Sequence, residues 1–371
     1  MRLYIAICIC FAISFSLMGC GNPTGGGGGW GSSSLPANPP DHISTVDATA
    51  GLAIDSSLAL DSKGRPNIAY NRGSDLMYAA WTGTKWVIST VDAGGLVGDI
   101  SLALGSNNIP QISYYGGDND LKYAKRNSSS WSVQTITSEG LVGRYNSIAI
   151  DKNNNPHIAY YDSTLTNAGD LIYVRLNGAT WEFSLITAEG DEGRGVSLAL
   201  DKNNKPHVVY LDGTPIFRTM YASLEGSTWV FTEVDTDTHQ DCSIKIDSIG
   251  TPHISYMKDT DFALGYGFLK YAYKSGSTFN TSTIDATSSI YVGRYNSIAV
   301  DGNNRPHISY CNKLNPKSFK LAEFNGTTWN ISTIETGAGA GYYSSIAVDS
   351  SGAVRMSYFN DANGDLKYYW K

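Results

Sequence analysis

From Ser57 onward, small or polar residues alternate with apolar ones in short runs, and each run stops at Asn, Gly, Pro or Ser. A period of two marks a strand with one buried face. The run Ser57-Leu-Ala-Leu-Asp61 returns with small changes at Ser101, Ser147, Ser197, Ser243, Ser297 and Ser345, at intervals of 44 to 54 residues. Each repeat predicts four strands. Strand A is the Ser-to-Asp run. A polar turn such as Lys152-Asn153-Asn154-Asn155-Pro156 leads into strand B, the Pro-His-Ile-x-Tyr run. Strand C follows Leu121-Lys-Tyr-Ala124. Strand D opens on Trp86, Trp131, Trp181, Trp229 or Trp329, and on Phe279 in one repeat. Nothing after residue 40 sustains a helical period. Four short strands at a period in the forties predict an all-β fold, a β-propeller.

The ends of the chain fix the number of blades. The last repeat stops after strand C, at Leu366-Lys-Tyr-Tyr-Trp-Lys371, whereas the first is preceded by an unmatched strand. That strand, Ile43-Ser-Thr-Val-Asp-Ala48, repeats the strand D text Ile88-Ser-Thr-Val-Asp-Ala93. It is expected to supply strand D of the last blade and close the ring, leaving no open seam. The prediction is seven four-stranded blades in one domain over residues 41–371.

Four histidines, His157, His207, His253 and His307, hold one position of strand B. Each lies six residues after an aspartate that ends strand A: Asp151, Asp201, Asp247 and Asp301. Acid and donor flank a hairpin and become cross-strand neighbours, a lock inside each blade. The other repeats fit: Asp61 with Asn67, Asp349 with Arg355, and, where the acid is lost at Gly105, neutral Gln111. The pairs resemble the Asp–His pairs of WD-repeat blades. No metal site is expected. The Asn-Asn turns lack the glycine and distal Glu of a calcium loop, and a β-turn explains them. The tryptophans opening strand D are expected to pack between blades.

Composition narrows the function. Net charge is −7 with no basic stripe, so nucleic acid is not an expected partner. No Walker loop, dinucleotide fingerprint, Gly-x-Ser-x-Gly or His-Glu-x-x-His occurs, and no cofactor is expected. Cys242 and Cys311 fall near one face of adjacent blades, as free thiols or as a disulfide.

The first residues are of a different kind. Arg2 precedes an apolar stretch, Leu3 to Met18, that reads as an export signal over residues 1–19. It ends Leu17-Met18-Gly19-Cys20, which resembles the lipobox of bacterial lipoproteins. That resemblance implies cleavage before Cys20 and lipidation of its thiol. Gly21, rather than aspartate, implies outer-membrane sorting if the cell is Gram-negative. Residues 20–40 are rich in Gly, Ser, Pro and Asn, a composition that cannot bury a core and makes a tether. The expected product is exported, lipid-anchored in the cell envelope, and monomeric.

The A–B turns keep one length, while variation falls in the B–C and D–A loops of the opposite face. Variable loops on a regular scaffold mark a working face. The D–A loops carry Arg144, Tyr145, Arg194, Arg294 and Tyr295, and the B–C loops Tyr115, Tyr161, Asp162, Asp212 and Phe359. Aromatic faces stack on sugars and arginines hold anions bidentately. The repeats also resemble, loosely, sialidase/BNR-type repeat proteins and seven-bladed bacterial lectins, although no Ser-x-Asp-x-Gly-x-x-Trp box occurs. A binding or scaffold propeller for a glycan or a protein is the first expectation. The alternative is a glycosidase or lyase on the same face, with Glu139 and Glu189 as acid or base candidates.

Overall fold

The computed structural model describes residues 42–49, 55–95, 98–165, 168–213, 216–261, 266–286, 291–313, 317–337 and 339–371. Cys20, the export signal and residues 20–40 lie outside them. Among the described residues there is no helix, and hence none long and apolar enough to cross a membrane. Twenty-eight strands form seven four-stranded antiparallel sheets, each in the order A-B-C-D. Strands A are Ser56–Leu60, Gly98–Leu104, Val142–Ile150, Glu192–Leu200, Thr238–Ile246, Val292–Val300 and Ala340–Val348. Neighbouring strands A pack on one another, that of blade one against blade seven included, so they line a central channel. Ile43–Asp47 pairs antiparallel with Asp365–Trp370, placing Ile43 opposite Tyr369. The N-terminal strand therefore completes blade seven and closes the ring.

The core lies between blades rather than inside any one of them. Each of the seven seams has its own buried cluster. One joins Ile68, Tyr70 and Met77 of blade one to Phe359, Leu366 and Tyr368 of blade seven. Every blade buries a tyrosine at one position of strand B: Tyr70, Tyr114, Tyr160, Tyr210, Tyr256, Tyr310 and Tyr358. Burying an aromatic body requires a partner for its hydroxyl. Five of these hydroxyls donate to the acid that ends the preceding blade's strand D: Asp47, Asp92, Asp235, Asp285 and Glu335. At the rim, strand D tryptophans meet strand C tyrosines of the neighbouring blade edge-on, as Trp131 meets Tyr78 at 5.1 Å.

The repeated serine that opens each strand A run has a role its sequence position did not disclose. Its Oγ accepts the backbone N–H of the next blade's strand A. Leu102 N–H bonds Ser57, Ile148 bonds Ser101, Leu198 bonds Ser147 and Ile244 bonds Ser197. Ile298 bonds Ser243, Ile346 bonds Ser297, and Leu58 bonds Ser345 at 3.0 Å to complete the circle. An edge strand's unpaired donors are thus satisfied from blade to blade without forming a continuous sheet.

The A–B turns are self-contained. In six blades the aspartate, Asp61, Asp151, Asp201, Asp247, Asp301 or Asp349, accepts the amides two and four residues on, as Asp151 does from Asn153 and Asn155. The histidine Nε2 lies 3.7 Å from Asp151 at His157, 3.9 Å from Asp201 at His207, 3.2 Å from Asp247 at His253 and 3.6 Å from Asp301 at His307. On its other side, Nδ1 of His207 and His253 meets the strand C hydroxyls of Tyr221 and Tyr271 at 2.5 and 2.6 Å, and His157 meets Tyr173. Burial, with Lys205 nearby, holds His207 down at about 4, so it is neutral at physiological pH. Arg355 binds Asp349 at 2.7 Å. Blade one differs: Asp61 pairs with Arg65, a charge nearer in the turn, and Asn67 accepts from Tyr78 instead.

Candidate functional site

The channel changes character along its length. Toward the A–B turns it is a cavity of about 470 Å³ walled by aliphatic strand A residues such as Leu58, Leu102 and Ile148, with Lys245 the one charge in its wall. Toward the D–A loops it opens into a polar funnel of about 640 Å³, to which all seven blades contribute. Aligning the repeats on the serine shows why. Two residues earlier stand Asp55, Asp99, Tyr145, Gly195, Asp241, Tyr295 and Tyr343, all in the funnel wall. This position, unremarkable in any single repeat, is the site's main ring, and the aligned repeats carry the signal.

The backbone at that ring is bulged. Pairing between strands A and B slips around Arg144–Ser147, Arg294–Ser297 and Tyr342–Ser345. Asp99, Tyr145, Tyr295 and Tyr343 take φ of 48°, 50°, 52° and 50°. Bulky residues in the left-handed region are strained, and bulges that re-aim side chains recur beside binding sites. The Gly-Arg-Tyr-Asn text encodes the device. Gly143 has φ 98°, and a Cβ there would stand 2.7 Å from Leu121 Cα. Asn146 Nδ2 donates back to Gly143 O at 3.0 Å and across to the Asp99 carbonyl of the preceding blade. Asn296 repeats both bonds, to Gly293 and Asp241, at 2.9 Å. The asparagine clamps the turn and leaves arginine and tyrosine facing the mouth.

The electrostatics are uneven around the ring. Burial in the neck, reinforced by the Asp99 charge, raises Asp55 to about 8, although the amides of Ile100 and Ser56 oppose the shift. Its carboxyl meets channel solvent but is walled in by protein. Burial also raises Asp99, against the Tyr145 amide and the Arg144 charge. On the opposite side, Arg294 reaches Asp241 at 3.2 Å. Tyr295 and Tyr343 pack at 4.5 Å between ring centres, with Tyr342 5.2 Å from Tyr295.

Five of the sequence candidates, Tyr115, Arg144, Tyr145, Arg294 and Tyr295, line the funnel together. Five do not. Arg194 is bound by Asp191 at 2.7 Å, and Tyr161 donates to that same carboxylate. Asp162 caps its own loop through Thr164. Asp212 is 2% exposed and bonds Arg218. Phe359 is 1% exposed within the seam between blades seven and one, with no surface for a ligand. In three other blades its strand B position is held by buried Leu211, Met257 and Cys311, whereas in blade two the same position is Tyr115, which reaches the funnel. Glu139 and Glu189 are exposed and absent from the funnel wall. Cys242 is in the wall and Cys311 is buried; both are free thiols, raised by burial. The longer B–C connections, Asp162–Asp170 and Lys258–Phe268, are extended at both ends: Asp162 pairs with Asp170 and Lys258 with Phe268. A long connection satisfies its backbone groups by pairing with itself. No group of three or more potential metal ligands occurs among the described residues.

Neither a protein-family model nor a curated protein matches the chain. Solved structures do. An ulvan lyase of a new polysaccharide lyase family, bound to -[GlcA(1-4)Rha3S]-, superposes with TM-score 0.61 at 13% identity, over 86% of this chain and 94% of that one. AofleA from Arthrobotrys oligospora gives TM-score 0.53 at 12% identity, over 82% and 94%. A mutant of the Aleuria aurantia lectin in complex with Fucalpha1-6GlcNAc gives 0.51 at 12% identity, over 78% and 98%. At such identities the likeness establishes the fold these chains share, a β-propeller.

Proposed function

We propose that this chain is a glycan-binding propeller, tethered to the cell envelope through a lipid on Cys20, with its site in the polar funnel. The observation that carries the reading is the ring of carboxylates, arginines and tyrosines converging there from six of the seven blades, on bulged backbone. A saccharide offers hydroxyls for Asp and Asn, and apolar ring faces for tyrosine. Lectins and a polysaccharide lyase among the structural neighbours support the class of ligand. The Leu17-Met18-Gly19-Cys20 sequence supports the anchor. The test is a glycan array repeated with Tyr145→Ala and Tyr295→Ala. Loss of binding by proteins that melt as the parent does supports the reading; unchanged binding removes the funnel from it. For the anchor, Cys20→Ser should move the protein out of the membrane fraction.

A second reading rests on Asp55. A carboxyl protonated near neutrality beside a second acid, Asp99, is what acid-assisted glycoside cleavage requires. Release of new reducing ends by the parent, abolished in Asp55→Asn, would establish an enzyme; absence of release leaves the binding module.

A further inference from the structure

The seam between blades six and seven holds a group of cations, two of them outside the motifs. Lys313 follows strand B of blade six and Lys317 precedes its strand C, while Arg294 comes from the D–A bulge. Lys313 Nζ lies 5.1 Å from the ring centre of Tyr295 and 5.5 Å from that of Tyr342. Lys317 Nζ lies 4.8 Å from the Tyr342 ring and contacts its hydroxyl at 2.6 Å. The Arg294 guanidinium is 5.6 Å from Tyr295. Three positive groups therefore share one small aromatic floor.

The two lysines differ from Arg294 in having no carboxylate in direct contact, Asp241 and Asp361 acting on them only at longer range. Several other cations on the same face have matched carboxylates, Arg194 with Asp191, Lys122 with Asp118 and Lys258 with Asp235, while Arg144 lies over Tyr115 and Tyr145 instead. Here, Asp241 pairs with Arg294, and among the described residues neither lysine has a carboxylate within ion-pair distance. Burial and the Arg294 charge depress Lys313, the sign of a cation short of counter-charge. A fixed set of ammonium groups around tyrosine faces is a receptor for an anion carried on an apolar ring.

We propose that this seam is a subsite for the anionic substituent of a saccharide, a carboxylate or a sulfate ester, with Lys313 and Lys317 as its specificity-determining residues. The inference rests on the glycan-binding reading of the funnel and adds its charge selectivity. The ring carrying the substituent rests on Tyr295 and Tyr342, and the substituent lies between the lysines.

The experiment is calorimetric titration with three probes of matched length: a neutral xylo-oligosaccharide, an oligogalacturonate and a sulfated galactan oligosaccharide. The proteins are the parent, the Lys313→Gln/Lys317→Gln double variant, and a control, Lys152→Gln/Lys202→Gln, that removes two charges from the A–B face. All three must melt alike. The expected result is at least roughly tenfold tighter binding of one acidic probe than of the neutral one. That margin should vanish in the lysine variant and persist in the control. The acidic probe that shows it identifies carboxylate or sulfate. An equal margin in the lysine variant, or none in the parent, overturns the subsite while leaving glycan binding intact. Failure of all three probes and of the array to bind would overturn both.

Discussion

Each inner strand has two ends, and they have been used differently. At the A–B end most repeats agree: an aspartate caps the turn in every blade but the second, a strand B histidine or arginine stands beside it in five, and aliphatic side chains wall the channel. At the D–A end, the same strands diverge. They present carboxylates held above their usual range and tyrosines in left-handed backbone, and the neighbouring B–C connection of blade six adds Lys313 and Lys317. The first end satisfies its own groups and stabilises the ring. The second keeps groups that are strained or poorly matched within the protein, which is where a ligand gains most. Regularity among repeats thus marks structure, and departure from it marks the working surface.

The comparison presupposes a closed ring, so the largest effect is expected from opening it. Removing Ile43–Asp47 would unpair Asp365–Trp370 and remove Val46 from the first seam. Loss of cooperative melting or aggregation is expected by scanning calorimetry; an unchanged transition would show that closure contributes nothing. Next come single changes at the regular end. Asp247→Ala removes the acceptor for the amides of Ile249 and Thr251 and the partner of His253. A loss of about 2 kcal/mol is expected in chemical denaturation. A comparable loss from an Arg294→Ala change at the mouth would erase the distinction between the ends.

Much of this was legible in the sequence. Blade number and closure could be read because each blade is contiguous in the chain, and its strand pattern and turn chemistry repeat. The seam bonds were harder to foresee. The serine is conspicuous, yet its partner is an amide some 45 residues away whose identity the text does not reveal. The site was least legible. Asp55, Asp99 and Asp241 share one funnel only because the ring brings separate blades to one axis. Conversely, Phe359 and Asp212 read as loop residues, yet both belong to strand B, which is buried on both of its faces.

The two ends should also titrate with opposite sign. Burial alone would raise Asp151, Asp201 and Asp247, but turn amides and the histidines hold them below the usual carboxylate value. Their contribution is present above the unfolded value and is lost as pH falls toward the folded ones. Asp55 is raised, from 3.8 to about 8, by burial and Asp99. Its ionisation is penalised in the folded neck, so it lowers stability as pH rises through that window. Asp55→Asn should therefore raise the melting temperature at pH 8 and leave it nearly unchanged at pH 4. A fall at pH 8 would contradict the burial of that charge. The smallest expected effect is that of Ser197→Ala, which leaves Ile244 N–H without its acceptor, a loss of about 1 kcal/mol. Equal losses for serines around the ring would show that this lock is shared evenly by both halves of the disc.

The most direct test of the division between the ends is hydrogen exchange on the full-length protein with and without a saturating acidic oligosaccharide chosen by the titration. The account predicts slowed exchange in the segments around Arg144–Ser147, Tyr291–Ser297 and Tyr342–Ser345, with no change at the A–B turns following Asp151, Asp201 and Asp301. Protection concentrated at those turns, with the D–A bulges unaffected, would contradict it.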